Sequence, residues 1–351
     1  MLDEFLSSRA EKLIDDPTKR AILQRDLWAI FDWTTEVTND TPEKLILQIK
    51  LVQIIKSLAL SPREIESLPN SFQRAIAAKS FATSYDISRR EQAFLPPDLL
   101  DAQGSWVRLS LQGGAPVASS HVHAFSGRSY FVVLIRLPEG REATLKYLKN
   151  ISEFPQPWIP DSSDTRRWVP NPKLPQFPLG TQLALIRQMV LIDDKGNYTP
   201  TSITEQVQIR VHRTIPREIP DGLNTDRNPA RAALDVYEFK LRRPKLLPGE
   251  NGGIRPVEAG ETEFPIFQSH GIDLFEELPD RAPLERHLRV VLNFCSNCHF
   301  RPGIHSVLSH ERGNIIPSWE LNHEARSTKQ WKRGQYSWGL LQGLWHSQSS
   351  R

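Results

Sequence analysis

Apolar residues recur at helical spacing through roughly the first hundred positions. Asp16-Pro17 reads as a helix start, with Asp16 as cap and Pro17 at the first helical position, and Ile22, Leu23, Trp28, Ile30, Phe31 and Trp33 follow. Thr41-Pro42-Glu43 opens a second helix in the same way, and Leu45, Ile49, Val52, Ile55 and Leu58 hold the period up to Ser61-Pro62. Two shorter helices are predicted, over Pro62 to Ser67 and Ser71 to Phe81.

From about Ser105 the period falls to two. Trp106, Arg108 and Ser110 alternate with Val107, Leu109 and Leu111, and Ser129 to Arg136 is rich in β-branched and aromatic residues. Gln182 to Ile192, the turn Asp193-Asp194-Lys195-Gly196-Asn197 and a returning strand near Val207 to His212 predict a hairpin. A further strand is predicted over Asp235 to Leu241, and a crossing helix over Glu142 to Ile151. Phe154 to Pro178 holds seven prolines and reads as an irregular wrapping loop. The run Pro248-Gly249-Glu250-Asn251-Gly252-Gly253 breaks any periodic pattern. Beyond it, Leu284, Leu288, Val291 and Leu292 predict a helix over Pro283 to Phe294. Trp331, Trp338 and Trp345 recur every seven residues beside Leu341 and Leu344, as the buried side of a last helix. The pattern predicts an α+β multidomain protein: a helical N-terminal unit over 1–100, a β-rich domain over 101–245 with one helix and a Pro-rich loop, and a helical C-terminal segment over 246–351.

Composition narrows the class. With 39% hydrophobic and 24% charged residues and a mean hydropathy of -0.43, the chain reads as globular. A net charge of +3 gives no electrostatic case for a nucleic-acid partner. No stretch nears the run of about 18 apolar residues that spans a bilayer, so no transmembrane helix is expected. The opening Met1-Leu2-Asp3-Glu4-Phe5-Leu6 shows neither the basic nor the apolar region of a secretory signal.

The two cysteines change the picture. Both lie in Cys295-Ser296-Asn297-Cys298-His299, where two thiols two residues apart precede a histidine. In a covalent haem site each thiol adds across one vinyl group, the short spacer matches the distance between the vinyls, and the next histidine points at the iron. This stretch and the predicted helix leading into it resemble c-type cytochromes. The resemblance implies haem c linked through Cys295 and Cys298, His299 as axial ligand, electron transfer or haem-dependent redox chemistry with a redox partner protein, and an exported, periplasmic location. It covers a small part of the chain. The only methionines, Met1 and Met189, precede the motif, so a distal methionine after it is excluded. His323 is the favoured distal ligand, then His310, with an open iron as the remaining option. His305 is too close in sequence to reach the opposite face.

Three other readings use the same thiols. Cys295, Cys298, His305 and His310 form C-x2-C followed by H-x4-H, a set suited to tetrahedral zinc in a tight knuckle of a non-enzymatic, cytoplasmic binding or structural protein. A redox or structural disulfide and a pair of plain buried thiols are the others. Elsewhere His121-Val122-His123 precedes a predicted strand, and Glu205 and His212 could complete a metal set, although strand histidines are more often ordinary surface residues. Gly113-Gly114 lacks a phosphate-binding pattern and reads as a turn. Without G-x-S-x-G or H-E-x-x-H the chain gives hydrolase chemistry no support.

Overall fold

The computed structural model describes residues 1–36, 40–166, 168–215, 233–257, 263–269, 271–274, 287–289, 303–308 and 315–347. It is α+β, built on an antiparallel sheet. Helices in the first hundred residues are α1 (Leu2–Ser7), α2 (Pro17–Thr34), α3 (Pro42–Ser57), α4 (Pro62–Glu66) and α5 (Ser71–Ala77). Local chemistry sets their starts. Asp16 accepts from the Thr18 N–H at 2.7 Å, Thr41 from the Lys44 N–H at 3.2 Å, and a proline follows each cap. At α4, Ser61 and Glu64 cap each other's backbone N–H groups.

The strands are β1 (Val107–Leu111), β2 (Ser129–Arg136), β3 (Trp158–Pro160), β4 (Trp168–Pro170), β5 (Gln182–Ile192), β6 (Tyr198–His212), β7 (Leu234–Leu241), β8 (Ile254–Pro256), β9 (Glu263–Ser269), β10 (Gly271–Leu274), β11 (His287–Arg289) and β12 (Ile315–Pro317). Between and after them come α6 (Ser119–Ala124), α7 (Arg141–Ser152), α8 (Arg243–Leu246), α9 (His305–Leu308), α10 (His323–Arg333) and α11 (Tyr336–Ser347). The main sheet runs β12-β1-β2-β5-β6-β7-β8, every pair antiparallel.

One face of the sheet packs Ala184, Ile186, Val207, Ile209, Val211 and Phe239 against Phe72, Phe94 and Trp106. On the other, Phe131, Ile135 and Leu183 meet Leu148 and Ile151 of α7 and Phe177 of the Pro-rich stretch. The outer end of the β5–β6 hairpin joins the N-terminal helices to the C-terminal one, with Val190, Ile192 and Tyr198 packed among Trp28, Phe31, Leu51, Ile54, Trp338, Leu341 and Trp345. Elements from all three sequence segments thus share one core.

Several expectations are corrected. The returning strand of the hairpin begins at Tyr198, immediately after the turn, well before Val207. The Pro-rich loop carries a two-stranded ribbon, β3 paired with β4. His287–Arg289, within the expected helix over Pro283 to Phe294, is a strand paired with β9. An apolar run this short fits either period, and pairing decides it. The tryptophan stripe belongs to two helices, because the chain leaves α10 at Gly334. Trp338 and Trp345 are buried on α11, whereas Trp331 on α10 packs in the cluster beneath α7.

Candidate functional site

Cys295, Cys298, His299 and His310 lie outside the described residues. The next described residue after the motif is Gly303. There the Ile304 N–H donates to Gln176 Oε1 at 2.7 Å, and the Ile304 side chain is buried with Val117, Ala118, Val122 and Ile315. His305 opens α9 and is 6% exposed.

His323 is the first residue of α10, beside the sheet edge formed by β1 and β12. Its Nδ1 lies 3.0 Å from Glu324 Oε1 and 3.2 Å from Ser110 Oγ on β1. Glu324 is buried. Its Oε1 accepts the Ser110 hydroxyl at 3.1 Å and its Oε2 accepts the Val117 N–H at 2.9 Å. Burial raises the Glu324 carboxyl above its ordinary pKa, while the donors from Val117, His323 and Ser110 pull it back. The carboxylate accepts from Val117 and Ser110, and from His323 whenever Nδ1 carries a proton. Among the described residues no hydrogen bond engages His323 Nε2. The side chain keeps 25% exposure. Serine, histidine and glutamate do not form a nucleophilic relay here. Such a relay needs one ring nitrogen on the hydroxyl and the other on the acid, and Nδ1 faces both.

The second concentration of chemistry is a buried ionic layer. Asp32 Oδ2, on α2, accepts from Arg128 Nη1 at 2.6 Å and from Lys332 Nζ at 2.9 Å, with each of the three side chains at most 1% exposed. Burial pulls Lys332 down to about 8 against the opposing pull of Asp32. Its ammonium also donates to Ser337 Oγ at 3.2 Å and lies 5.4 Å from the Trp28 ring centroid. Nearby, Ser129 Oγ donates to Glu205 Oε2 and receives Arg25 Nη2 at 3.2 Å, while Arg187 Nε stands 3.5 Å from the same carboxylate. Glu205 reaches them through a β-bulge. Arg187 pairs with Gln206 but Gln188 pairs with Thr204, so Glu205 is the extra residue. The layer continues across β6 and β7, where Gln206 donates to Glu238 beside Lys240, and Arg210 donates to Gln208 at 3.3 Å. These pairs tie α2, β2, β5, β6 and α10 into one geometry.

Sequence reasoning missed Ser110, Glu324 and the set Arg25, Asp32, Arg128 and Lys332. Arg25 and Asp32 share α2, but Asp32 meets Arg128 and Lys332 across 96 and 300 positions, so no local pattern marks the set. A carboxylate directly after His323 was the one visible signal.

The lesser metal set is separated. His121 and His123 sit on helix α6, Glu205 binds Ser129 within the ionic layer, and His212 is buried edge-on to Phe177 at 5.1 Å between ring centroids. Among the described residues no three His, Cys, Asp or Glu side chains are grouped to hold a metal. No single helix among them is long and apolar enough to cross a membrane. Comparison of the chain with protein-family models, with curated proteins and with solved structures finds no match.

Proposed function

We propose that the chain is a c-type haem-binding protein, serving electron transfer or haem-dependent redox chemistry with a partner protein. Cys295 and Cys298 are the thioether donors and His299 the axial ligand. The observation that carries the reading is the sequence Cys295-Ser296-Asn297-Cys298-His299, which uses both cysteines of the chain in the spacing covalent haem attachment needs. Two features agree with it. The chain just past His299 is anchored at Ile304 in the cluster that holds Val117, the residue that fixes Glu324. His323, the favoured distal ligand, has Nδ1 3.0 Å from the Glu324 carboxylate, the kind of contact that orients an imidazole ligand.

Haem bound in this way supplies a one-electron couple, and two histidine ligands favour a low potential. Among this chain's residues, Glu324 would orient the His323 ring, and Ile304, His305 and Ser306 are buried just past the motif. The alternative, zinc held by Cys295, Cys298, His305 and His310, draws on the burial of His305 directly after the motif.

An absorption spectrum and an intact mass, on protein made with its native upstream sequence in a host that matures c-type cytochromes, test the reading. A Soret band, sharp α and β bands on reduction and a mass gain of one haem that survives denaturation establish it. Colourless protein at its apo mass overturns it, and bound zinc in that sample selects the alternative.

A further inference from the structure

We infer that Asn251 is a modification site held shut by the fold, and that opening of the loop between α8 and β8 exposes it to deamidation and isoaspartate formation. Asn251-Gly252 is the one Asn-Gly pair in the sequence. A glycine after asparagine has no side chain to shield its backbone nitrogen, so that nitrogen can reach the asparagine amide once the chain is free to turn. The Gly252 nitrogen then bonds to Asn251 Cγ, the Cγ–Nδ2 bond breaks, and ammonia leaves with the proton that the nitrogen gave up. The product is a cyclic imide. Water opens it at the side-chain carbonyl to give aspartate, or at the backbone carbonyl to give isoaspartate, and no other reactant is needed.

Ring closure needs Asn251 Cβ and the Gly252 nitrogen nearly eclipsed across the Cα–C bond. Asn251 is instead left-handed, with φ 47° and ψ 33°, and that ψ sets the two atoms nearly opposite each other. No rotation of the side chain brings Cγ to the nitrogen from there. Turning ψ would swing Gly252, which is buried so close to α5 that a Cβ built on it would stand 1.9 Å from the Ser71 carbonyl oxygen and 3.0 Å from the Ala75 nitrogen. Gly253 is confined in the same way against Leu246 of α8, and its carbonyl accepts the Arg242 N–H at 2.6 Å. Ser80 Oγ also holds the amide itself, donating to Asn251 Oδ1 at 2.9 Å. The Asn251 side chain is partly exposed, so conformation protects it and water does reach it. Isoaspartate adds a carbon to the backbone where the two glycines leave no room for one. A chain so modified does not reseat, which makes this opening irreversible.

The full chain is incubated in mildly alkaline buffer, folded and in urea, beside a synthetic peptide of residues 247–256. Asparagine, aspartate and isoaspartate at position 251 are resolved by chromatography and mass spectrometry of the digests. Asn251 is expected to be lost at the peptide's rate in urea and at least about tenfold more slowly in the folded protein, the factor being set by how rarely the loop opens. Ser71→Ala removes the hydroxyl that accepts the Thr204 N–H at 2.6 Å and so loosens the start of α5. It should speed the loss in folded protein several-fold. Diluting the urea sample should return a native fraction poorer in isoaspartate than the whole pool. Equal rates in folded protein and peptide overturn the inference, and so does an Asn251 that survives in urea. An unchanged rate in Ser71→Ala with the parent's circular dichroism, or a native fraction as rich in isoaspartate as the pool, overturns it as well.

Discussion

Asp32 shows how far one carboxylate can reach inside this protein. It is the acceptor shared by Arg128 and Lys332, both withdrawn from water, and breaking such a buried pair from one side leaves charge without its counterpart. Asp32→Ala is expected to lower the unfolding free energy by about 3–5 kcal/mol, measured by urea denaturation. A loss under about 1 kcal/mol would show that the cations find equivalent acceptors. His212 makes a different test. Burial, helped by the Arg210 charge, brings it down from 6.5 to about 3. Between those values the unfolded chain holds a proton that the folded chain refuses, so stability is lost as pH falls from about 6.5 toward 3. In His212→Phe the urea midpoint should fall less steeply from pH 6.5 to 4.5 than in the parent. Equal slopes in the two proteins would place the acid sensitivity elsewhere.

At the scale of elements, Gly252 is held where no other residue fits. Its φ is +63°, and an added Cβ would lie 1.9 Å from the Ser71 carbonyl oxygen at the start of α5. Gly252→Ala is expected to cost at least about 2 kcal/mol, because left-handed strain adds to a backbone collision. A thermal midpoint equal to the parent's would refute that. How well the elements were legible depended on whether the deciding contacts were local. Asp16-Pro17 and Thr41-Pro42 mark helix starts through bonds made within three residues, and both starts are where the sequence places them. The first half of β6 was hidden by Pro200 among threonines and a serine, which reads as a turn. There β6 pairs with β5 alone, since β7 joins only from Gln206, so the missing N–H of Pro200 has an open side to face. The strand at His287–Arg289 was misread for the opposite reason, that its partner β9 is distant and its own residues suit either period. At the candidate site, the motif of two thiols and a histidine was readable at once. The Ser110–Glu324 contact spans 214 positions and was not.

Across the whole molecule, the sequence changes character near residues 100 and 245, yet packing runs across both places. Trp28 touches Trp338, with ring centroids 5.8 Å apart, and Gln24 of α2 donates to the Ile192 carbonyl and accepts its N–H. Unfolding of the 1–100 region, followed by tryptophan fluorescence and by far-ultraviolet circular dichroism, is therefore expected to coincide with loss of the sheet in one transition. Trp345→Ala, which empties a site on α11, should lower stability by about 3–5 kcal/mol while keeping the two probes coincident. Separate midpoints would mean that the helices stand without the sheet.

The place of α11 in that core also orders events during synthesis. A ribosome releases Trp28, Phe31, Leu51 and Ile54 some 300 residues before Trp338, Leu341 and Trp345, so the early helices wait with one side uncovered. Cys295 and Cys298 emerge inside that interval. Until the last helix covers that side, its tryptophan and aliphatic residues are open to association with other chains.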